Sequence, residues 1–160
     1  MPIKTSKEDM KRFLFALVLV AFMPGKSLAA DTTGKARVVD GDTIWIGETK
    51  IRLHGIDAPE LKQTCQTSKG KDQMCGQIAK QALQRLVKDQ TVTCKGGERG
   101  KYKRLIAVCT VGPFNINEQM VVDGWALAYR KYSKDYVRAE TFAKSRREGM
   151  WRSKFVKPWE

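Results

Sequence analysis

An α+β fold built around a small β-barrel is what this 160-residue sequence predicts, and three observations predict it. Residues 36–56 are rich in β-branched side chains and are punctuated by "DGD" at 40–42 and by Gly47-Glu48, which suits short strands joined by tight turns. "QTVTCKGGERGKYKRLIAVCTV" sets two further strands around a polar, glycine-rich turn. Three other segments carry a helical apolar period. Closing short strands into a barrel removes exposed sheet edges, so a barrel is the economical arrangement.

The elements follow in order. The first 30 residues combine a basic start (Lys4, Lys7, Lys11, Arg12), the 11-residue apolar run "FLFALVLVAFM", a Pro24-Gly25 break and, in Ser27-Leu28-Ala29, small residues at 27 and 29. That pattern is an export signal, and the run is too short for a membrane-spanning helix of about 20 residues. Residues 31–160 then form one domain, secreted or periplasmic, with no membrane association after cleavage. Three strands occupy 36–56, and 61–75 is a polar loop without apolar period. Residues 76–89 place Ile78, Ala82, Leu83, Leu86 and Val87 on one helical stripe. After the hairpin, Asn115 or Asn117 caps a helix ending near Gly124. A last helix over 136–151 presents Val137, Ala139, Phe142, Ala143 and Met150.

The leader holds five basic and two acidic residues, so the remaining 130 carry 25 and 15, a net charge of +10. Such a field favours polyanions. Four cysteines in an exported chain imply two disulfides rather than zinc, since no pair has CxxC spacing and His54 is the only histidine. Cys94 and Cys109 are equidistant from the hairpin centre and pair across it, leaving Cys65 and Cys75 to close a small loop. A lone histidine also excludes a paired-histidine ribonuclease mechanism, and His54 is read as structural.

The charged residues of "IRLHGIDAPE" are what packing leaves unexplained. Arg52 lies on the strand face opposite Ile51 and Leu53. Asp42, after the "DG" turn, and Asp57 are oxygen donors suited to a hard divalent cation. Glu60, directed by Pro59, can orient or deprotonate a water. Arg104, at the mouth of the hairpin, is the second guanidinium for a phosphate. Lys101 and Lys103 supply positive field, and Tyr102 a surface for stacking a base. As a set, these residues specify metal-assisted attack of water on a phosphodiester.

In order and spacing, "VVDGDTIWI", "IRLHGIDAPE", "GKYKRLIAV" and "NEQMVVDGWALAY" resemble the staphylococcal nuclease family over residues 35–152. The resemblance implies a five-stranded OB-type β-barrel with three α-helices and a Ca²⁺-dependent endonuclease acting on DNA and RNA to leave 3′-phosphate ends. It implies Asp42, Asp57 and the Ala58 carbonyl as calcium ligands, Arg52 and Arg104 as phosphate-binding arginines, Glu60 as the water-positioning acid, and Tyr102 and Tyr132 near the nucleotide. The sequence departs from the pattern at Ala58, which replaces a hydroxyl residue, and at "GKYKR", which lacks the acid and the glycine of "DKYGR". Arg130 stands where a pocket tyrosine is expected, and the four cysteines are additional. A monomer with no stable protein partner is expected. The alternative is a catalytically weak nucleic-acid-binding module of the same fold; a cationic envelope protein that adheres to anionic lipid or polysaccharide leaves the paired Asp42 and Asp57 unexplained.

Overall fold

A computed structural model describes residues 31–100 and 102–160, so the leader and Lys101 lie outside the described residues. Twelve short strands are present: β1 (Thr32–Gly34), β2 (Ala36–Val38), β3 (Thr43–Ile46), β4 (Thr49–Leu53), β5 (Ile56–Asp57), β6 (Cys65–Thr67), β7 (Asp72–Gln73), β8 (Val92–Arg99), β9 (Leu105–Val111), β10 (Phe114–Asn115), β11 (Leu127–Ala128) and β12 (Ser153–Lys154). The helices are α1 (Cys75–Val87), α2 (Ile116–Val122) and α3 (Val137–Arg146). The main sheet runs β1-β8-β9-β4-β3-β2, with β10 on β9. It is mixed, because β4 and β9 pair in parallel while their outer neighbours pair antiparallel. A register shift between Lys95 and Glu98 bulges β8, the device that bends and curls a strand. This is the OB-type α+β architecture expected, a curled sheet with three helices, but the sheet has seven strands rather than five, because β1 adds to β8 and β10 to β9.

Alternation within each strand decides what is inside. Ile44, Ile46, Ile51 and Leu53 face the core with Leu83 of α1 and Met120 of α2. Burying each such side chain is worth about 1.5–3 kcal/mol. Arg52, between Ile51 and Leu53, is thereby turned to the opposite face.

Two segments differ from expectation. The 61–75 loop holds β6 and β7, and β6 is the centre of a separate three-stranded sheet, paired with β7 on one side and β12 on the other. β12 lies 86–88 residues further along the chain, beyond any local periodicity. The last helix stops at Arg146, because Arg147 takes a left-handed conformation (φ 55°) and its N–H turns back to the Ala143 and Lys144 carbonyls. A 3₁₀ turn, Gly149–Arg152, follows and buries Met150, whereas Phe142 is 49% exposed instead of lying on the packed stripe.

Both expected disulfides are present. Cys94 and Cys109 are direct cross-strand partners, with Cα atoms 4.0 Å apart, and Cys65 is joined to Cys75 at the start of α1. Asn115 is the cap of α2, accepting from the Glu118 N–H at 3.1 Å. Asn117 does something else. Fully buried, it accepts from the Cys109 N–H at 3.0 Å and donates to the carbonyls of His54 (3.0 Å) and Ala107 (3.2 Å), clasping the residue after β4 to the middle of β9.

Glu140 on α3 is the buried acid of the helical layer. It accepts from the Ala128 N–H (3.1 Å), Arg130 (2.7 Å) and Lys144 (3.0 Å). Burial pushes its carboxyl up, but the hydrogen bonds from Arg130 and Lys144 and their charges outweigh that and hold it below the ordinary value of 4.5. The stabilisation is therefore full above 4.5 and lost as pH falls through the lower folded value. Urea midpoints measured from neutral to acid pH should fall in that window for the wild type and be flatter for Glu140→Gln. Asn117→Ala should cost about 1–3 kcal/mol in the same assay, since it orphans the buried Cys109 N–H.

Candidate nucleic-acid site

The site begins at the β2–β3 turn. Asp40 accepts from the Asp42 N–H at 3.1 Å, which fixes the "DGD" bend. Gly41 is there for a steric reason: a Cβ would lie 2.6 Å from the Ala58 Cβ and 2.9 Å from that of Ala79. The bend thus presses against the end of β5, and Asp42 accepts the Ala58 N–H at 2.9 Å and the Thr43 hydroxyl at 3.0 Å. Small Ala58 suits this approach, a packing reason for the absent hydroxyl.

Arg52 closes the arrangement. Its guanidinium pairs with Asp42 through one terminal nitrogen and with Asp57 through the other, which also donates to the Ile56 carbonyl at 3.3 Å. The three side chains are only 7–17% exposed. Burial pushes the Asp57 carboxyl above its usual range; Arg52 opposes this, Asp40 adds to it and Arg104 opposes it. Two carboxylates are therefore gathered around one positive charge.

A cavity of about 400 Å³ opens beside this triad, between the β4–β5 turn, the β8–β9 hairpin and the chain after β11. Arg52, Arg104, Tyr102 and Tyr132, four of the residues singled out from sequence, all line it. The Arg104 guanidinium lies 5.4 Å from the Tyr102 ring centre, and its buried Nε–H has no hydrogen-bond partner. A buried guanidinium donor left unpaired is costly and suits an anionic ligand. Tyr129 and Arg99 also line the cavity, and sequence reasoning missed both. For Tyr129 the signal was in "WALAYRKY", one position before Arg130, which is itself committed to Glu140.

Glu60 does not line the cavity. It is exposed on the turn after Pro59, and its carboxylate makes no hydrogen bond or ion pair among the described residues. Its backbone is held: the N–H donates to Gln63 Oε1 at 3.2 Å and the carbonyl accepts from the Gln63 N–H at 2.7 Å. Lys103 is exposed at the hairpin tip and adopts φ 57°, the left-handed conformation that the glycine of "DKYGR" would take freely. His54 contributes its backbone, with its N–H bonded to the Ala107 carbonyl at 2.8 Å, and its side chain borders the cavity.

The Asp42 and Asp57 carboxylates and the Ala58 carbonyl offer only oxygen, which fits a hard cation, and Arg52 is the positive group that both carboxylates meet here. Among the described residues no group of three or more His, Cys, Asp and Glu side chains converges, so protein would supply few ligands. Calcium and magnesium sites that bind substrate phosphates keep such open positions for water and ligand.

Gly76, the second residue of α1, fixes Glu60 from behind, because a Cβ there would lie 1.8 Å from the Glu60 carbonyl oxygen. Gly76→Ala should therefore shift the Glu60 turn and cost about 1–3 kcal/mol of stability, read by thermal unfolding against a Gln77→Ala control.

The family model described as staphylococcal nuclease homologue matches residues 50–153. An uncharacterized endonuclease of Haemophilus influenzae is 32% identical over 142 residues, covering 84% of this chain and 74% of that protein. The micrococcal nuclease of Shigella flexneri is 30% identical over 177 aligned residues, covering 98% and 94%. The succinoglycan biosynthesis protein ExoI of Rhizobium meliloti is 32% identical over 123 residues, covering 75% of this chain and 64% of its own length. This chain belongs to the staphylococcal nuclease family.

Proposed function

We propose that this protein is an exported, Ca²⁺-dependent endonuclease that hydrolyses DNA and RNA to 3′-phosphate ends. The observation that carries the proposal is the pairing of two guanidinium groups, Arg52 and Arg104, in one cavity, the second with a buried unpaired N–H. That arrangement suits the equatorial oxygens of a phosphodiester under attack. Asp42, Asp57 and the Ala58 carbonyl would hold the cation, which supplies Lewis-acid polarisation of a phosphate oxygen when bound. The relatives named as nucleases support the reaction class.

The chain's own residues divide the work. Glu60, on a turn fixed by Gln63 and Gly76, orients the attacking water and accepts its proton. A new P–O bond forms as the P–O5′ bond breaks; the phosphate stays on the 3′ side, and the 5′ oxygen leaves with the bonding electron pair and takes a proton from solvent water to become a hydroxyl. Arg52 and Arg104 hold the charge that gathers on phosphorus oxygens. Tyr102 and Tyr132 offer rings to the nucleotide, and Lys101 and Lys103 add attraction along the strand. Two disulfides and the predicted leader fit an envelope or extracellular location.

Residues 31–160 should cleave single-stranded DNA with Ca²⁺ and not with EGTA, and Glu60→Gln should abolish cleavage while binding persists. Arg52→Ala and Arg104→Ala should each lower kcat by about 10²–10³; retention within a few-fold overturns their roles. Binding should weaken with salt, with a log–log slope of about −0.7 per phosphate contacted.

Selective loss of the Cys65–Cys75 bond, by Cys65→Ser with Cys75→Ser, should lower activity before ellipticity on warming. That bond secures the start of α1, on which the Glu60 turn rests.

A further inference from the structure

The last residues of the sequence return to the site. Gln63, whose side chain and backbone hold the Glu60 turn, also donates its Nε2–H to the Val156 carbonyl at 2.7 Å. This anchor brings the following residues alongside the cavity, where Trp159 stacks on Tyr129 with centroids 5.1 Å apart and planes 12° from parallel. Tyr129 in turn meets Tyr132 edge-on at 5.0 Å. Three rings, Tyr132, Tyr129 and Trp159, thus form one run, of which the first two line the cavity. Lys131 lies 5.8 Å from the Tyr132 centroid, and Lys157, itself paired with Glu160 at 2.6 Å, lies 5.9 Å from that of Trp159. Trp159 remains 39% exposed and does not line the cavity, so the cavity is open with the tryptophan in place.

We propose that Trp159 is a base-stacking platform that carries single-stranded nucleic acid beyond the cavity. The inference rests on the nucleic-acid substrate proposed above and adds a subsite to it. Aromatic faces interleaved with cations are what a single strand recognises without regard to sequence: bases stack on rings while phosphates meet ammonium groups. A tail that merely plugged the site would put its ring into the cavity, and Trp159 lies beside it. The interaction is ring on ring, so another aromatic residue should replace it.

The test uses residues 31–160 with labelled dT20 in EGTA, which separates binding from cleavage. Trp159→Ala should weaken the Kd about tenfold, the range expected for one lost base stack, while Trp159→Phe stays within about threefold of wild type. The thermal midpoint should be unchanged in both. With Ca²⁺, Trp159→Ala should raise KM for dT20 and leave kcat, and should not alter cleavage of a dinucleotide too short to reach the platform. An unchanged Kd overturns the inference, as does tighter binding or a higher kcat, the signature of a plug. A Kd shift accompanied by a lowered midpoint assigns Trp159 to structure and also overturns it. If the wild type binds dT20 through Trp159 but cleaves under no metal, the catalytic reading fails and the platform stands.

Discussion

A guanidinium half-sunk into a strand face must find anions, and Arg52 finds two. Its partners come from separate places in the chain, Asp42 from the β2–β3 turn and Asp57 from the end of β5, so the pairing ties three elements to one point. Removing any member would leave a poorly hydrated charge uncompensated, which typically costs about 3–5 kcal/mol in a buried pair. The requirement explains several neighbouring choices. Asp40 fixes the bend that delivers Asp42, Gly41 lets that bend approach β5, and Ala58 leaves room and donates its N–H. Burial works against ionisation of Asp57, so the positive charge of Arg52 is what offsets the gathering of two carboxylates at one point.

The scaffold then holds the two halves of the site in relation. β4, which carries Arg52, and β9, which begins beside Arg104, are parallel neighbours, and Asn117 bonds to the backbone just after β4 and in the middle of β9. Each half also has its own covalent tie. Cys94–Cys109 crosses the hairpin whose tip presents Tyr102 and Arg104, and Cys65–Cys75 fastens the loop after Glu60 to α1. The residues expected to meet phosphate thus lie on strands and tethered turns, where packing restricts their motion. The most exposed ones, Tyr102, Lys103 and Tyr132, are at the rim. That distribution suits a substrate that varies in sequence but not in its phosphate.

The family pattern is kept where the charges are and relaxed where backbone or packing can adjust. Lys103 adopts the left-handed conformation in place of glycine, at a cost of about 1 kcal/mol. Arg130 is drawn away from the site by the buried Glu140 carboxylate, and Tyr129 provides the aromatic wall instead.

Much of the molecule could be read before folding. Alternation of Ile51, Arg52 and Leu53 already placed Arg52 on the outer face, because strand geometry has a period of two. The symmetry of Cys94 and Cys109 about one turn predicted their bond, and the spacing of Asp42, Arg52, Asp57, Glu60 and Arg104 predicted the reaction class. These are local or pairwise signals. Tertiary structure alone decided the rest. β6 needs β12 as its partner, Asn117 needs three backbone groups from β4 and β9, and Trp159 reaches Tyr129 only because Gln63 holds Val156. No periodicity records such contacts, since each joins residues whose separation along the chain is unrelated to their distance in space.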